Sequence, residues 1–407
     1  MQKERLQKYA QLIAKMGVNV QEGQDVMLNA GIEDPEFVEM VVEELYKCGA
    51  RKVFVDWSYQ PLSKLHYNYR SLDSVCKVES FEEEKARDTA DHLACRLFLD
   101  SDDPDGLKGI DIEKMAAARQ AQYKVMKPYN DKREGKHQWC IVGVPGKKWA
   151  KKVFPNETDE AAVEKLWEAI LSTSRVDDDP IAAWKAHNKD VHDRCAYLNS
   201  LDIETLEYRS SNGTDFRVGL IPGSNFLGGS ETTASGTEFN PNIPSEECFT
   251  SPDRSTAEGV VYSTKPLSYQ GQLIENFYLK FKDGKVVESH AEVNDEQLTK
   301  MLNMDEGSRY LGECALVPFD SPINQTGLLF YNTLFDENAC CHLALGGGFL
   351  EVINDSHNKT QDEIHAMGVN DSMIHQDFMI GAEDLNIVAH CRNGKDVQIF
   401  KDGTWAF

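Results

Sequence analysis

An imidazole and a carboxylate stand two residues apart in Ser372-Met-Ile-His375-Gln-Asp377-Phe-Met-Ile-Gly381, and they are the groups best placed to do chemistry. If this apolar run is a strand, alternation sends His375 and Asp377 to the same face. A buried carboxylate without a partner is costly, so the pair asks for a cation. Four more candidates lie upstream. They are His342 in Cys340-Cys-His-Leu-Ala-Leu-Gly346, Glu337 in Leu334-Phe-Asp-Glu-Asn-Ala339, Glu313 in Tyr310-Leu-Gly-Glu-Cys-Ala-Leu-Val-Pro318, and Glu247 in Asn242-Ile-Pro-Ser-Glu-Glu-Cys-Phe-Thr-Ser-Pro-Asp253. Carboxylate and imidazole are the ligand types of zinc, cobalt and manganese hydrolase sites. Spacing alone leaves open a plainer account, in which the glutamates are solvated strand edges and the histidines satisfied core residues.

Other catalytic signatures are missing from the chain. It has no His-Glu-x-x-His helix, no Gly-x-Ser-x-Gly elbow and no Cys-x-x-Cys pair. No Gly-x-Gly-x-x-Gly or P-loop follows a strand-like run, so no nucleotide site is expected. His187 and His192 fall on a polar helical stretch and are expected in solvent.

The segments around the six candidate residues, together with Tyr331-Asn-Thr-Leu-Phe-Asp-Glu-Asn-Ala339, resemble the aminopeptidase T / aminopeptidase S / PepS family of metalloaminopeptidases. They occur in the family's order and cover roughly residues 205–385 densely; the N-terminal half matches only in length and α/β pattern. The resemblance implies two divalent ions (zinc, cobalt or manganese) held by Glu247, Glu313, Glu337, His342, His375 and Asp377. It selects Glu247 over Glu246, because the second acidic position is the family ligand. Glu313, flanked by apolar residues, is the best bridging candidate. The general acid/base stays unassigned; Glu246, beside a ligand, is one candidate, and an exposed neighbour is the alternative. One departure stands out. Where the family usually reads Gly-x-x-Tyr, this chain has Gly346-Gly-Gly-Phe349 and so lacks a hydroxyl that could serve a developing oxyanion.

Composition sets outer bounds. The 407 residues include 67 acidic and 43 basic side chains, a formal charge of −24. This argues against a nucleic-acid or anionic-membrane surface. No apolar run approaches the roughly 18 residues of a membrane span, and Met1-Gln-Lys-Glu-Arg is not followed by the apolar stretch of a secretory signal. The ten cysteines are scattered and expected to be reduced, buried thiols in a cytoplasmic protein.

The elements that must position the site follow from periodicity. Leu6, Tyr9, Ala10, Ile13 and Met16 form a helical stripe, Asp25–Asn29 a strand, and Asp34-Pro35 a helix start before the stripe Phe37, Val41, Leu45. Strands at 51–55, 93–99 and 139–143 alternate with helices at 112–127, 159–173 and 180–200. This rhythm predicts an α/β N-terminal domain, residues 1–202, with a mainly parallel sheet. After residue 203 the pattern changes to hairpins, marked by Asn212-Gly213, Asp283-Gly284, Asn393-Gly394 and Asp402-Gly403. Residues 203–407 are therefore expected to form a β-rich α+β domain carrying the metal site.

The expected function is metalloaminopeptidase action: hydrolysis of the N-terminal residue from peptides with a free N-terminus, by a water activated by two metal ions. The resemblance also implies a homodimer. Two alternatives stay open. One is a metal hydrolase of another class, such as a phosphoesterase, against which the isolated Arg254 and Arg309 speak. The other is a weak or inactive member acting as a binding protein, which Phe349 keeps in play.

Overall fold

The expected N-terminal stripe forms helix Gln2–Leu12, running into a π turn at Ile13–Gly17, with Tyr9, Ala10 and Ile13 fully buried. Asp34 caps the next helix, Pro35–Lys47, by accepting a hydrogen bond from the Phe37 N–H at 3.0 Å. In this computed structural model, which describes residues 2–407, the chain forms two compact units. The first runs to Lys185 and takes in Ser230–Pro244; the second comprises Ala186–Gly229 and Ser245–Phe407.

The first unit contains four parallel strands: β1 (Asp25–Gly31), β2 (Lys52–Ser58), β3 (Cys95–Asp100) and β4 (Trp139–Gly143). Their order is β2-β1-β3-β4, with the two-residue strand Asn242–Ile243 parallel to β4 at the edge. Val26, Leu28, Leu97, Cys140 and Val142 are fully buried between the helical layers. The mainly parallel sheet expected from the alternation of helix and strand is present. The unit border differs from the expected 202/203. It lies at 185/186, inside helix Pro180–Ser200, and residues 230–244 return to the first unit. The returning segment carries only the short strand Asn242–Ile243, too brief to leave a periodic signal. Helix Ile112–Arg133 also runs through Pro128, past its expected end at 127.

The second unit holds two antiparallel sheets. The larger has nine strands, including Ile203–Arg209, Asp215–Gly219 and Gln272–Lys282. Asp283-Gly284 and Asp402-Gly403 close two-residue turns with positive φ at both positions, as a type I′ turn requires. The Asn212-Gly213 hairpin is looser than expected. Arg209 pairs with Asp215, so residues 210–214 all lie in the loop, where the Asn212 side chain accepts from the Thr214 N–H.

The smaller sheet positions the candidate residues. Its order is β5 (Cys248–Thr250), β6 (Leu311–Leu316), β7 (His342–Gly346) and β8 (His375–Met379), all antiparallel. Alternation gives it two characters. Cys314, Leu343, Leu345 and Phe378 face a core shared with Leu206, Phe216, Phe277 and Ile387 of the larger sheet. Each such large apolar side chain contributes about 1.5–3 kcal/mol on burial. Glu313, His342, Ala344 and Asp377 occupy the intervening positions. No helix among the described residues is long and apolar enough to cross a membrane.

Two glycines let the ends of these strands crowd together. Gly346 has φ +107, and a Cβ there would lie 2.0 Å from the Ile374 carbonyl oxygen; a Cβ on Gly312 would lie 2.2 Å from that of Gly347. Gly346→Ala is therefore expected to lower stability by about 1–3 kcal/mol through strained backbone and overlap. Urea unfolding of the variant beside the wild type measures it, and an unchanged midpoint would show that the loop relaxes freely.

Candidate metal centre

Strand pairing brings distant residues into one row. Ala344 on β7 pairs with Glu313 on β6 and with Asp377 on β8. Directly opposed residues share a face, with Cβ atoms about 5 Å apart. The two acids thus flank only a methyl group, and the space above Ala344 is left to their carboxylates. One pleat along, Ala315 pairs with His342 and Gly346 pairs with His375. Glu247 enters from the turn just before β5.

The side-chain atoms converge in two groups: Glu247, Glu313 and His342 supply one, and Glu313, His375 and Asp377 the other. Within each group the ligand atoms all lie within 4.8 Å of one another, and Glu313 belongs to both. His342 Nε2 is 3.3 Å from Glu247 Oε2, and His375 Nε2 is 3.2 Å from both Glu313 Oε2 and Asp377 Oδ1. Glu313 and Asp377 are buried, and no lysine or arginine forms an ion pair with these five residues among those described. The expected strand alternation of His375 and Asp377 is present.

Glu337 is in neither group. It starts the turn Glu337–Ala339, half-buried, close enough to be pushed well above its ordinary carboxyl range, first by burial and then by Asp377 and Glu247. Its neighbour Asp336 is committed elsewhere. Asp336 accepts hydrogen bonds from the Phe330 and Asn332 N–H groups at 2.8 and 3.1 Å, folding that loop back on itself. Burial nonetheless pushes its carboxyl up to about 7.

The remaining electrostatics tell the same story of excess negative charge in a dry place. Burial raises Glu313 to about 7, against the hydrogen bond from His375 and with Glu247 adding to the rise. Burial disfavours the His342 cation, but Glu247 and Glu313 overcome this and push it up to about 10. Burial works against the Asp377 charge, and His375 outweighs it, holding Asp377 below its ordinary range. Enclosed carboxylates and imidazoles with no basic side chain to neutralise them are a donor set for divalent cations.

A surrounding layer orients the donors. His375 Nδ1 is 2.7 Å from the Gly347 carbonyl, so Nδ1–H donates there and Nε2 is the nitrogen turned toward Glu313 and Asp377. Asn370 Nδ2 donates to the Gly346 and Gly307 carbonyls and holds that loop. Asn338 ties two acidic turns together. Its Oδ1 accepts from the Glu246 N–H at 2.6 Å, and its Nδ2 donates to the Leu334 carbonyl.

Two sequence expectations need correction, and a third question is answered. Glu246, for which exposure was the alternative, is buried. His187 is not in solvent: its side chain is 9% exposed, its Nε2 lies 2.7 Å from the Ser245 carbonyl and 4.0 Å from Glu246 Oε2. Helical periodicity gave no hint, because the covering segment is far away in sequence. Phe349 packs its ring 4.9 Å from those of His375 and Phe249, forming wall. Asn338 and Asn370 were missed altogether, since a single buried asparagine carries no sequence signature.

A centre of this composition in an α/β plus β-rich chain points to a metallohydrolase, and comparison with known proteins defines the family. Residues 2–405 match the family described as "Thermophilic metalloprotease (M29)". The chain is 40% identical over 404 residues to "Aminopeptidase 2" of Geobacillus stearothermophilus, covering 99% of this chain and 98% of that one. It is also 40% identical over 406 residues to "Aminopeptidase AmpS" of Bacillus subtilis, covering 99% of both. The structure of "Wild-type AmpT from Thermus thermophilus" superposes with a TM-score of 0.91 at 36% identity over the whole of both chains. The chain belongs to the M29 metalloprotease family and is a peptide-bond hydrolase.

Glu337→Gln tests the crowding directly. The folded carboxyl is raised above its ordinary value of 4.5, so the unfolded state ionises more readily and the native state loses stability as pH rises past that value. Metal-free Glu337→Gln is therefore expected to melt higher than metal-free wild type at pH 8, with the gap closing toward pH 4.5. Thermal melts across pH check this; a gap of constant size, or of opposite sign, would mean that Glu337 is not repelled by its neighbours.

Proposed function

We propose that this chain is an aminopeptidase that removes the N-terminal residue from peptides at a centre of two divalent ions, with Glu247, Glu313, Glu337, His342, His375 and Asp377 as ligands. One observation carries the proposal: two ligand groups that share Glu313. A shared carboxylate is what a bridged pair of cations needs, and four carboxylates balance the charge of two divalent ions. Relatives bearing the name aminopeptidase support removal of single residues rather than internal cleavage. Zinc, cobalt and manganese all suit these oxygen and nitrogen donors.

When bound, the ions supply Lewis acidity toward the peptide carbonyl and make water a nucleophile near neutral pH. The chain's own groups do the rest. Gly347 and Glu313 hold the His375 ring in one orientation. Glu246, a buried acid beyond the four carboxylates that balance the ions, favours a cationic α-ammonium over a capped N-terminus. Glu246 is assigned to proton transfer: it is buried, its N–H is held by Asn338, and its carboxylate lies beside His187. Glu246→Gln should then lower kcat by about 10²–10⁴-fold with metal content intact. Phe349 keeps the His375 ring in place but offers no hydroxyl, so oxyanion stabilisation falls to other donors.

Leucyl-p-nitroanilide should be hydrolysed with added Co²⁺, Mn²⁺ or Zn²⁺, and EDTA should abolish turnover. Peptides with a free α-amine should be cleaved and their N-acetylated forms should not; equal turnover of both would indicate an endopeptidase. Metal analysis should approach two equivalents per chain, and Glu313→Ala should lose both. One equivalent that survives Glu313→Ala would exclude a Glu313-bridged pair.

A further inference from the structure

The parallel sheet of the first unit has a reversal in its winding. From β1 the chain moves outward to β2, then returns past β1 to reach β3 on the other side. In open α/β sheets such a point leaves a crevice beyond the carboxyl ends of the strands, where successive connections diverge. Here the crevice is a cavity of about 500 Å³. Asn29 near the end of β1, Ser58 ending β2 and Asp100 ending β3 line its base. Tyr67 from helix Gln60–Tyr69 and Arg119 from helix Ile112–Arg133 line its sides.

The rim is built, not loose. The Gln60 amide exchanges two hydrogen bonds with the Asp103 backbone, accepting from the N–H at 3.0 Å and donating to the carbonyl at 3.1 Å. A Cβ on Gly106 would lie 1.9 Å from Gln60 Oε1, so a side chain there would push the Gln60 amide out of this pairing. Two of the loop's acids are already neutralised: Lys148 lies 3.4 Å from Asp103, and Lys152 lies 2.8 Å from Asp105.

Two charged side chains, both exposed, stand at the open side of the cavity. Among the described residues, neither the Asp102 carboxylate nor the Arg119 guanidinium forms an ion pair or a side-chain hydrogen bond. Asp100 stands beside Asp102, its carboxylate accepting from the Asp102 N–H at 3.1 Å. Phe98, Leu107 and Met115 supply an apolar wall to the same cavity. The cavity thus offers a cation, an anion and an apolar surface in a volume typical of small-molecule sites, about 300–1,000 Å³.

We propose that this cavity binds a free α-amino acid with an apolar side chain. Arg119 takes the α-carboxylate, for which a guanidinium is the best-matched partner. Asp102, with Asp100, takes the α-ammonium, and Phe98 and Met115 pack the side chain. The ligand class follows from the cavity's own groups. If the chain is an aminopeptidase, the ligand is also a product of its reaction, and the cavity lies in the unit that does not carry the candidate metal ligands.

Isothermal titration of the full-length, metal-loaded protein with L-leucine tests this with no peptide present, so the outcome stands apart from any peptidase assay. One equivalent should bind per chain at this site. Leucinamide, lacking the carboxylate, and N-acetyl-leucine, lacking the ammonium, should bind at least tenfold more weakly. Arg119→Met and Asp102→Asn should each weaken leucine at least tenfold without changing metal content, and Asp102→Asn serves alone if the arginine variant does not fold. Glu313→Ala should leave the site intact. Absence of leucine binding into the millimolar range, leucinamide binding as tightly as leucine, or binding lost in Glu313→Ala but kept in Asp102→Asn would each overturn the proposal.

Discussion

Repulsion among enclosed carboxylates is the constraint around which the second unit is organised. Glu247, Glu313 and Asp377 are buried, with Glu337 close behind, and among the described residues only His342 and His375 stand with them to offset the charge. Removing such charges from water costs several kcal/mol each unless they are paired. Burial and the neighbouring acids accordingly push the carboxyls of Glu313 and Glu337 above their ordinary range. A chain relieved of it would be more stable and would lose its donors for metal.

The surrounding structure supplies what holds these groups together. β6 is buried along its whole length, so Glu313 cannot swing out without pulling Cys314 and its neighbours from the core. Ala344 keeps the space between the two acidic strands open; a larger side chain would occupy it, and overpacking typically costs about 1–3 kcal/mol. Asn338 joins the Glu246-Glu247 turn to the turn carrying Glu337, so two acids from segments 90 residues apart (247 to 337) share one clamp. Buried amides of this kind are all-or-nothing, because a half-satisfied polar network costs more than none.

How much of this was legible in the sequence depended on the range of the interaction. The period-two placement of His375 and Asp377 and the apolar setting of Glu313 are local, and both appear in the structure as strand features. The helix–strand rhythm of the first unit is also local, and the parallel sheet followed from it. The choice between adjacent acids was not legible. Asp336 folds back on Phe330 and Asn332 while Glu337 turns toward the cluster, and no residue type distinguishes the two. Family resemblance supplied that choice, as it did for Glu247 over Glu246. The burial of His187 beneath Ser245 and the return of residues 230–244 to the first sheet arise from tertiary contact alone.

The two histidines differ in a way that bears on kinetics. The His342 side chain is 1% exposed, whereas that of His375 is 32% exposed. Water and chelators therefore meet the His375 imidazole more readily than that of His342. If, as proposed, this centre holds two ions, its His375 end is the more exposed. Ions held at its two ends would have unequal residence times even if their equilibrium affinities were the same, and the outer one would set how quickly the protein samples the metals around it.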